Sequence, residues 1–501
     1  MQIIAAIDVG SNAIRMVVGR VSDDQNVEII DSTRVPVRLG QDTFLAGQIG
    51  ESAMQAAADT FDRFRMIADQ FGVARMRAVA TSSMREAENS DILIDRIARR
   101  SGIQLEIISG EEEARLVHLA VTKAVDLNGR DAILVDIGGG SVEVTISHAD
   151  EIVWSESYPI GTVRLLQRLG ESDSKRPFPE LLREYTESAR HRIERELGNR
   201  RVDVCIGTGG NVDEIGSLRK KFLKGENDTE ISLDELKLLI DKLTDMSIEE
   251  RISKLSLRPD RADVILPAAM VLHMIARVAH VKNILIPSVG LKDGVLWDIA
   301  PLAAGPRLPR REQAWSSSLR LGQKYQFDQE HGEHVAKLSV RIFDQTLSLH
   351  SLNEEDRLLL EIASLLHDIG HFINTLDHDQ HGYYILKHSP LMGLDERQQD
   401  MVANVVRFHR KSTPSNQDEN FKALPQKDRL LVTKLCAILR LADSLDNSHT
   451  GRVRDIALEK HKDEWQLLLQ GDGDMMLEKW QLGKRKGLFQ DVFGVDLKLP
   501  E

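Results

Sequence analysis

A chain of 501 residues with 42% hydrophobic and 29% charged side chains can bury several cores and falls in the size range of two to four domains. Its net charge of −13 and 5% aromatic content argue against nonspecific nucleic-acid binding and against base stacking, but they leave room for a polyanion held by local basic groups or metal ions. Two cysteines, Cys205 and Cys436, sit far apart in apolar runs, which excludes a disulfide framework and predicts buried thiols in a reducing compartment.

The chain opens on MQIIAAIDVGS, where Asp8 cuts the apolar run short and no basic segment precedes it. This reads as a strand and not a signal peptide. No run of about 18 apolar residues follows anywhere, so the expectation is a cytoplasmic protein with no membrane partner. MVVGRV and VEIIDSTRVPVRL continue as strands. Residues 52–71 place Met54, Ala57, Phe61, Phe64, Ile67 and Phe71 at helical spacing, with Gly72 as a C-cap. MRAVAT is the next strand, Ser83 to Glu86 fits a capping box, LEIIS is a strand and GEEEARLVHLAVTKAV a helix.

The pattern then restarts. AILVDIGGGSVEVTISH and EIVWSESYPIG repeat the opening strands, VDVCIGTGGNVDEIG is a strand, glycine turn and helix start, residues 263–280 form an apolar helix, and NILIPSVGLKDGVLWDIA ends the repeat. Two related α/β halves facing each other across a cleft are expected, at 1–125 and 126–305. Residues 304–318 read as a linker. The text beyond is helical over 306–450, and residues 451–501 read as a small α+β appendage.

Glycine turns at strand ends bring backbone N–H groups close to an anion. There are three: Gly10-Ser11-Asn12, Gly138-Gly139-Gly140-Ser141 and Gly207-Thr208-Gly209-Gly210. Asp8 and Asp136 end the strands before two of them and are candidates to hold Mg²⁺, with Glu143 on the same strand face as Ser141 as a further carboxylate. In SGEEEARL, Ser109 and Glu112 fit a capping box and Glu111 favours the helix dipole. Glu113 is left without a structural role and is the candidate general base for hydrolysis. Arg15, Arg85 and Arg164 follow turns or strand ends, where a guanidinium suits either phosphate or a solvated face.

AIDVGSNAIRMVV, AVATSSMREA, ISGEEEARL, VDIGGGSVEV, PIGTVRL and IGTGGNV, in that order over residues 4–212, resemble the exopolyphosphatase / guanosine pentaphosphate phosphatase family of the actin-like ATPase and sugar-kinase superfamily. The resemblance implies Mg²⁺-dependent removal of terminal phosphate from inorganic polyphosphate, or from guanosine pentaphosphate. It implies general base Glu113, metal and water positioning by Asp136 with Glu143 and Asp8, and phosphate binding by Ser11, Asn12, Arg15, Arg85, Gly138, Gly139, Gly140, Ser141, Gly209 and Gly210. A homodimer is expected on the same ground. Ala13 departs from the hydroxyl residue common in the family at that place. Glycine turns alone also fit an actin-like ATP-binding switch or a kinase.

The helical part carries EHGEHVAKL, LLHDIGHF, HDQHGYYIL, RFHRKS and LRLADSLD, and it resembles the HD phosphohydrolase superfamily. That resemblance implies ligands His334, His367, Asp368 and Asp443 for a transition metal, with His381 and His409 completing a second position. It raises an HD-type nucleotide metallohydrolase as a further alternative. Arg407, Arg410 and Lys411 are open as channel lining or as ordinary helix ends.

Overall fold

The computed structural model describes residues 2–22, 26–127, 129–148, 151–170, 176–198, 200–223, 228–304, 309–461, 464–471 and 473–499. It divides into two compact units, Met1–Leu308 and Pro309–Glu501.

In the first unit, β1 (Gln2–Val9), β2 (Ile14–Val21) and β3 (Val27–Val35) form an antiparallel meander, and β4 (Arg75–Ala80) and β5 (Leu105–Ile107) extend it in parallel, in the order β3-β2-β1-β4-β5. β1 is buried on both faces from Ile4 to Val9, as a central strand with helices on either side must be. The same device is built again from β6 (Asp131–Ile137), β7 (Val142–His148), β8 (Glu151–Tyr158), β9 (Val204–Thr208) and β11 (Asn283–Leu285). β10 (Glu230–Ser232) is added at the edge, in the order β10-β11-β9-β6-β7-β8. The repetition reaches the register. Asp8 stands opposite Arg15 in one hairpin and Asp136 opposite Glu143 in the other. Each hairpin closes on the same bond, Gly10 N–H to Ala13 O and Gly138 N–H to Ser141 O, both 3.1 Å. The expected pair of actin-like halves is present.

The halves exchange helices. The Gly110–Ala124 helix leaves β5 of the first sheet and packs on β7 and β8 of the second. The Leu291–Ala304 helix leaves β11 of the second sheet and packs on β1 and β2 of the first. One core holds both sheets and both helices together through Ile4, Val17, Leu116, Val121, Leu134, Ile206, Val295 and Ile299. The two helices cross where Gly294 meets the Leu116 carbonyl, with no room for a Cβ. Beside the crossing, the wholly buried Arg115 donates to Glu112 (2.6 and 2.9 Å) and to Asp298 (2.8 Å), and Arg77 joins both acids.

Two local expectations change. The helix at Ser82–Glu86 starts one residue early, after Thr81 N–H bonds back to Val9 O. Ser83 is therefore buried in the first turn and forms no capping box with Glu86. At Ser109 the hydroxyl does accept from Glu112 N–H (3.2 Å), but the Glu112 carboxylate turns to Arg115 and Arg77.

The second unit begins earlier than a 304–318 linker allows. A helix runs from Pro309 to Lys324, and residues 305–308 lie outside the described ones. Helices Gln329–Gln345, Glu354–Leu366, His378–Lys387, Glu396–Arg407 and Gln426–Ser444 then surround one apolar core. β12 (Val453–His461), β13 (Glu464–Gly471) and β14 (Asp496–Lys498) form a small sheet with two short helices. Among the described residues, no helix is long and apolar enough to cross a membrane.

The crossing at Gly294 makes a prediction. Gly294→Ala forces a methyl group against backbone and should cost about 1–3 kcal/mol of stability, as overpacking does elsewhere. An unchanged denaturant midpoint would show that the helices can part without loss.

Candidate active site and a histidine–aspartate cluster

A cavity of about 110 Å³ lies between the two halves of the first unit. The three glycine turns meet there, and Asp8, Ser11, Asn12, Arg15, Glu113, Asp136, Gly138, Gly139, Ser141, Gly209 and Gly210 all line it. Gly209 takes φ +100°, and a Cβ there would lie 2.7 Å from the Ile137 carbonyl, so a side chain would be both strained and blocked.

Glu113 is carried across by the exchanged helix to face Asp136 on β6 and Glu143 on β7. One carboxylate oxygen of each of the three lies within 4.8 Å of those of the others. Asp136 accepts from Thr208 Oγ1 (2.6 Å), and Glu143 accepts from Ser157 Oγ (2.7 Å). Oε2 of Glu113 and Oε2 of Glu143 are buried without a hydrogen-bond partner. Burial and mutual repulsion act together here. Burial first, and Glu143 second, push Glu113 well above the usual carboxylate range, against the pull of Arg85. Burial and Asp136 push Glu143 up to about 7, and burial lifts Asp136 to about 6 despite the Thr208 hydrogen bond. Orphaned oxygens on acids that resist ionisation fit an absent divalent cation with oxygen ligands.

The structure moves three expected residues off the cavity wall. Arg85 turns away to the Ile108 carbonyl and to Glu113 Oε2, 3.8 Å from it. Gly140 is pressed against Ser82 and Phe44, and its carbonyl accepts from Arg164 Nε (2.7 Å). Arg164 is thus a brace, stacked 4.1 Å over the Phe44 ring. Glu143 stands behind Glu113, outside the lining.

Three basic or amide residues on the wall were not foreseen: Asn211, Arg261 and Lys292. Arg261 is buried and donates to Asn211 Oδ1 (2.7 Å). Burial, with Arg15 and Arg34 beside it, pushes it down to about 9. Nothing in LSLRPDRADV marks one arginine above its neighbours, because its partners lie 50 residues and more away.

In the second unit, His367, Asp368, His409 and Asp443 converge as expected, but two members of the expected set change. His331 replaces His334, and His378 replaces His381. Each pair is one helical turn apart, and the first member faces inward. His334 Nε2 instead reaches the Val453 carbonyl (2.8 Å), and His381 belongs to none of the clusters. Nε2 of His331 lies 3.2 Å from Nε2 of His367, and Nε2 of His378 lies 3.3 Å from Nε2 of His409. Asp368 joins the pairs, with Oδ1 3.2 Å from His378 Nε2 and Oδ2 3.8 Å from His331 Nε2. Asp443 Oδ1 is 3.5 Å from His367 Nε2, and its Oδ2 takes Arg485. Burial alone would lower His367, but Asp368 and Asp443 outweigh it and hold it up to about 9. Arg407 and Lys411 are paired to Asp379 and Asp377, while Arg410 Nη1 is 3.5 Å from His378 Nδ1.

Comparison with known proteins agrees with this geometry. The Ppx/GppA phosphatase family model matches residues 17–303, and the model of Ppx/GppA phosphatase domain III matches residues 315–486. A guanosine-5'-triphosphate,3'-diphosphate pyrophosphatase from Vibrio cholerae is 27% identical over 493 residues, covering 93% of this chain and 92% of its own; one from Vibrio parahaemolyticus is 26% identical, covering 87% and 85%. An exopolyphosphatase structure from Cytophaga hutchinsonii is 28% identical with a TM-score of 0.56, covering 60% of this chain and 98% of that one. An Aquifex aeolicus family member, at 24% identity and TM-score 0.51, shares the fold. With the repeated hairpins, the exchanged helices and the buried acid cluster on the page, these matches have one meaning: the chain belongs to the Ppx/GppA phosphatase family, enzymes that act on phosphoanhydride bonds.

Proposed function

We propose that the first unit is an exopolyphosphatase, releasing the terminal phosphate of inorganic polyphosphate, with guanosine pentaphosphate as a second substrate. The observation that carries this reading is the buried Oε2 of Glu113, without a hydrogen bond and 3.8 Å from Arg85, beside Asp136 and Glu143 at the point where three glycine turns meet. The lining residues include no aromatic side chain, so a nucleobase has no stacking surface there, whereas a bare phosphate chain needs none.

In this reading, the ionised Glu113 carboxylate takes a proton from the attacking water. The oxygen so freed adds in line to the terminal phosphorus. The bond to the bridging oxygen breaks, orthophosphate leaves, and the chain is one unit shorter. Arg15, Arg261 and Lys292 balance the charge of the chain, and the turns at Ser11–Asn12 and Gly138–Gly139 seat it. Mg²⁺, with Asp136, Glu143 and Asp8 as its holders, supplies further neutralisation of the phosphoryl oxygens. An ATP-binding switch or a kinase would share the glycine turns. The buried Glu113, placed to accept a proton from water, favours hydrolysis.

Glu113→Gln should lower phosphate release from long-chain polyphosphate by about 10²–10⁴-fold, the usual contribution of a general base. Retained activity would place the chemistry elsewhere. The same substitution should act on stability with a fixed sign. The folded protein holds Glu113 well above the ordinary value of 4.5, so its contribution is fully present below that pH and is lost as pH rises toward the raised folded value. With a chelator present, Glu113→Gln should therefore raise the melting temperature at pH 8 and leave it unchanged near pH 4.5. Equal effects at both pH values would contradict the raised pKa.

We propose further that the second unit would hold two transition-metal ions, one among His331, His367 and Asp443 and one between His378 and His409, with Asp368 beside both groups. The carrying observation is the orientation of four imidazoles. Nδ1 of His367, His378 and His409 faces the carbonyls of Ser364, Thr375 and Val406, and Nδ1 of His331 faces Asp446. Carbonyl and carboxylate oxygens only accept, so each Nδ1 carries a proton and each Nε2 is the nitrogen turned inward, from which a bound metal ion would displace any proton, the one on His367 included. Two Nε2 atoms 3.2 or 3.3 Å apart either share a proton or flank an ion, and two nitrogens about 2.1 Å from one ion stand about this far apart. Elemental analysis should find two metal equivalents in the wild type, one in His378→Ala and none in Asp368→Asn. A wild type that stays metal-free after exposure to Mn²⁺, Fe²⁺ and Zn²⁺ contradicts the assignment.

A further inference from the structure

Beside the catalytic cavity, a group of arginines outnumbers the acids that pair with them. Asp8, Arg15 and Arg34 stand in register across β1, β2 and β3. Like charges directly opposite on neighbouring strands destabilise a sheet unless something answers them. Asp8 answers Arg15 at 3.1 Å. Arg34 is answered from the other half, by the Asp260 carboxylate, whose second oxygen lies 3.8 Å from Arg258. Arg261 follows next in the chain, on the cavity wall, 4% exposed. A Cβ on Gly210 would collide with Nη2 of both Arg261 and Arg15, so the two guanidinium ends meet there. Nε of Arg261 and Nε of Arg34 are buried with no hydrogen-bond partner. Burial and the neighbouring arginines lower Arg261, which an anion seated among them would reverse.

Arg34, Arg258 and Arg261 thus stand around the single Asp260 carboxylate beside the cavity that Arg261 lines, and Arg34 and Arg261 each keep an idle buried N–H donor. We propose that Arg34, Arg258 and Arg261 form a distal subsite for the internal phosphates of a polyphosphate chain whose end lies in the cavity, and that Asp260 holds this place until the chain displaces it. This rests on the reading of the cavity as a terminal-phosphate site. Arg34 and Arg258 lie outside the cavity lining, so the chemistry selects a linear polyanion that extends past the cavity over pyrophosphate. Asp260, in the short helix Pro259–Ala262, and Arg34, on β3, belong to different halves, so the displaced pair also ceases to tie the two halves together.

The test measures binding in the full chain, with Glu113→Gln as background so that the ligand survives, in the presence of Mg²⁺. The probes are long-chain polyphosphate and pyrophosphate. Arg34→Gln, on the edge strand β3, should weaken long-chain binding by at least about tenfold, the loss expected for one charge-assisted contact, and leave pyrophosphate within about twofold. Asp260→Asn should tighten long-chain binding by up to about fivefold, the worth of a partly exposed ion pair. An unchanged melting temperature shows that each variant is folded, and Arg258→Gln provides a second, more exposed position on the same subsite. If Arg34→Gln and Arg258→Gln both bind long chains as the background does, or weaken both probes equally, the subsite is overturned while the cavity reading stands. If the background protein binds neither probe, both fall.

Discussion

Everything at the candidate active site depends on one helix being in the wrong half. The Gly110–Ala124 helix follows the last strand of the first sheet but packs under β7 and β8 of the second. That placement drives Glu113 against Glu143 and Asp136, which belong to the other repeat. No acid would choose such neighbours in a buried site. What holds it there is the helix crossing at Gly294, the shared apolar core and the Arg115–Glu112–Asp298 network, which together make the carboxylate cluster an imposed feature of the fold. Folding energy is spread over many side chains, and the strain is concentrated on three.

The repeat explains how such a site arises from symmetric parts. Both hairpins end their first strand in Asp and close on the same backbone bond. They differ at the residue opposite that Asp: Arg15 in one, Glu143 in the other. The first hairpin is thereby neutralised internally and adds a cation to the wall. The second becomes a pair of acids that only an added proton or metal ion can neutralise. One substitution of sign in a duplicated device separates a side that adds a cation to the wall from a side that carries a pair of buried acids.

What the sequence reveals depends on range. The two strand–turn–strand copies and the three glycine turns are local, and they stand where expected. Glu113 stands out because its neighbours have local explanations, although the explanation for Glu112 is a long-range ion network with Arg115 and Arg77 and not the expected capping box. Arg85 and Gly140 were placed on the wall because motifs give proximity but not direction; the first turns to Glu113, the second to Phe44 and Ser82. Arg261 was invisible, since its partners come from Asn211, Arg15 and the far strand β3. The histidines show the same limit at one-turn scale. EHGEH and HDQH each offer two imidazoles three residues apart, and only the rotational phase of the helix, set by caps such as Asp328, says which one points inward. The assumed linker failed because Pro309 suits the first turn of a helix as well as it suits a loop.

The central claim is that burial makes Glu113 and Glu143 hold protons more tightly than ordinary carboxylates, and that a divalent cation bound beside them would release those protons. The direct measurement is calorimetric titration of Mg²⁺ into the metal-free protein at pH 7, in buffers of different ionisation enthalpy, with Glu143→Gln alongside. Replacement of protons by the metal predicts binding heats that change with the buffer, because protons are released on binding, and a smaller release in the variant. Mg²⁺ binding without proton release, or with the same release in Glu143→Gln, would contradict the claim.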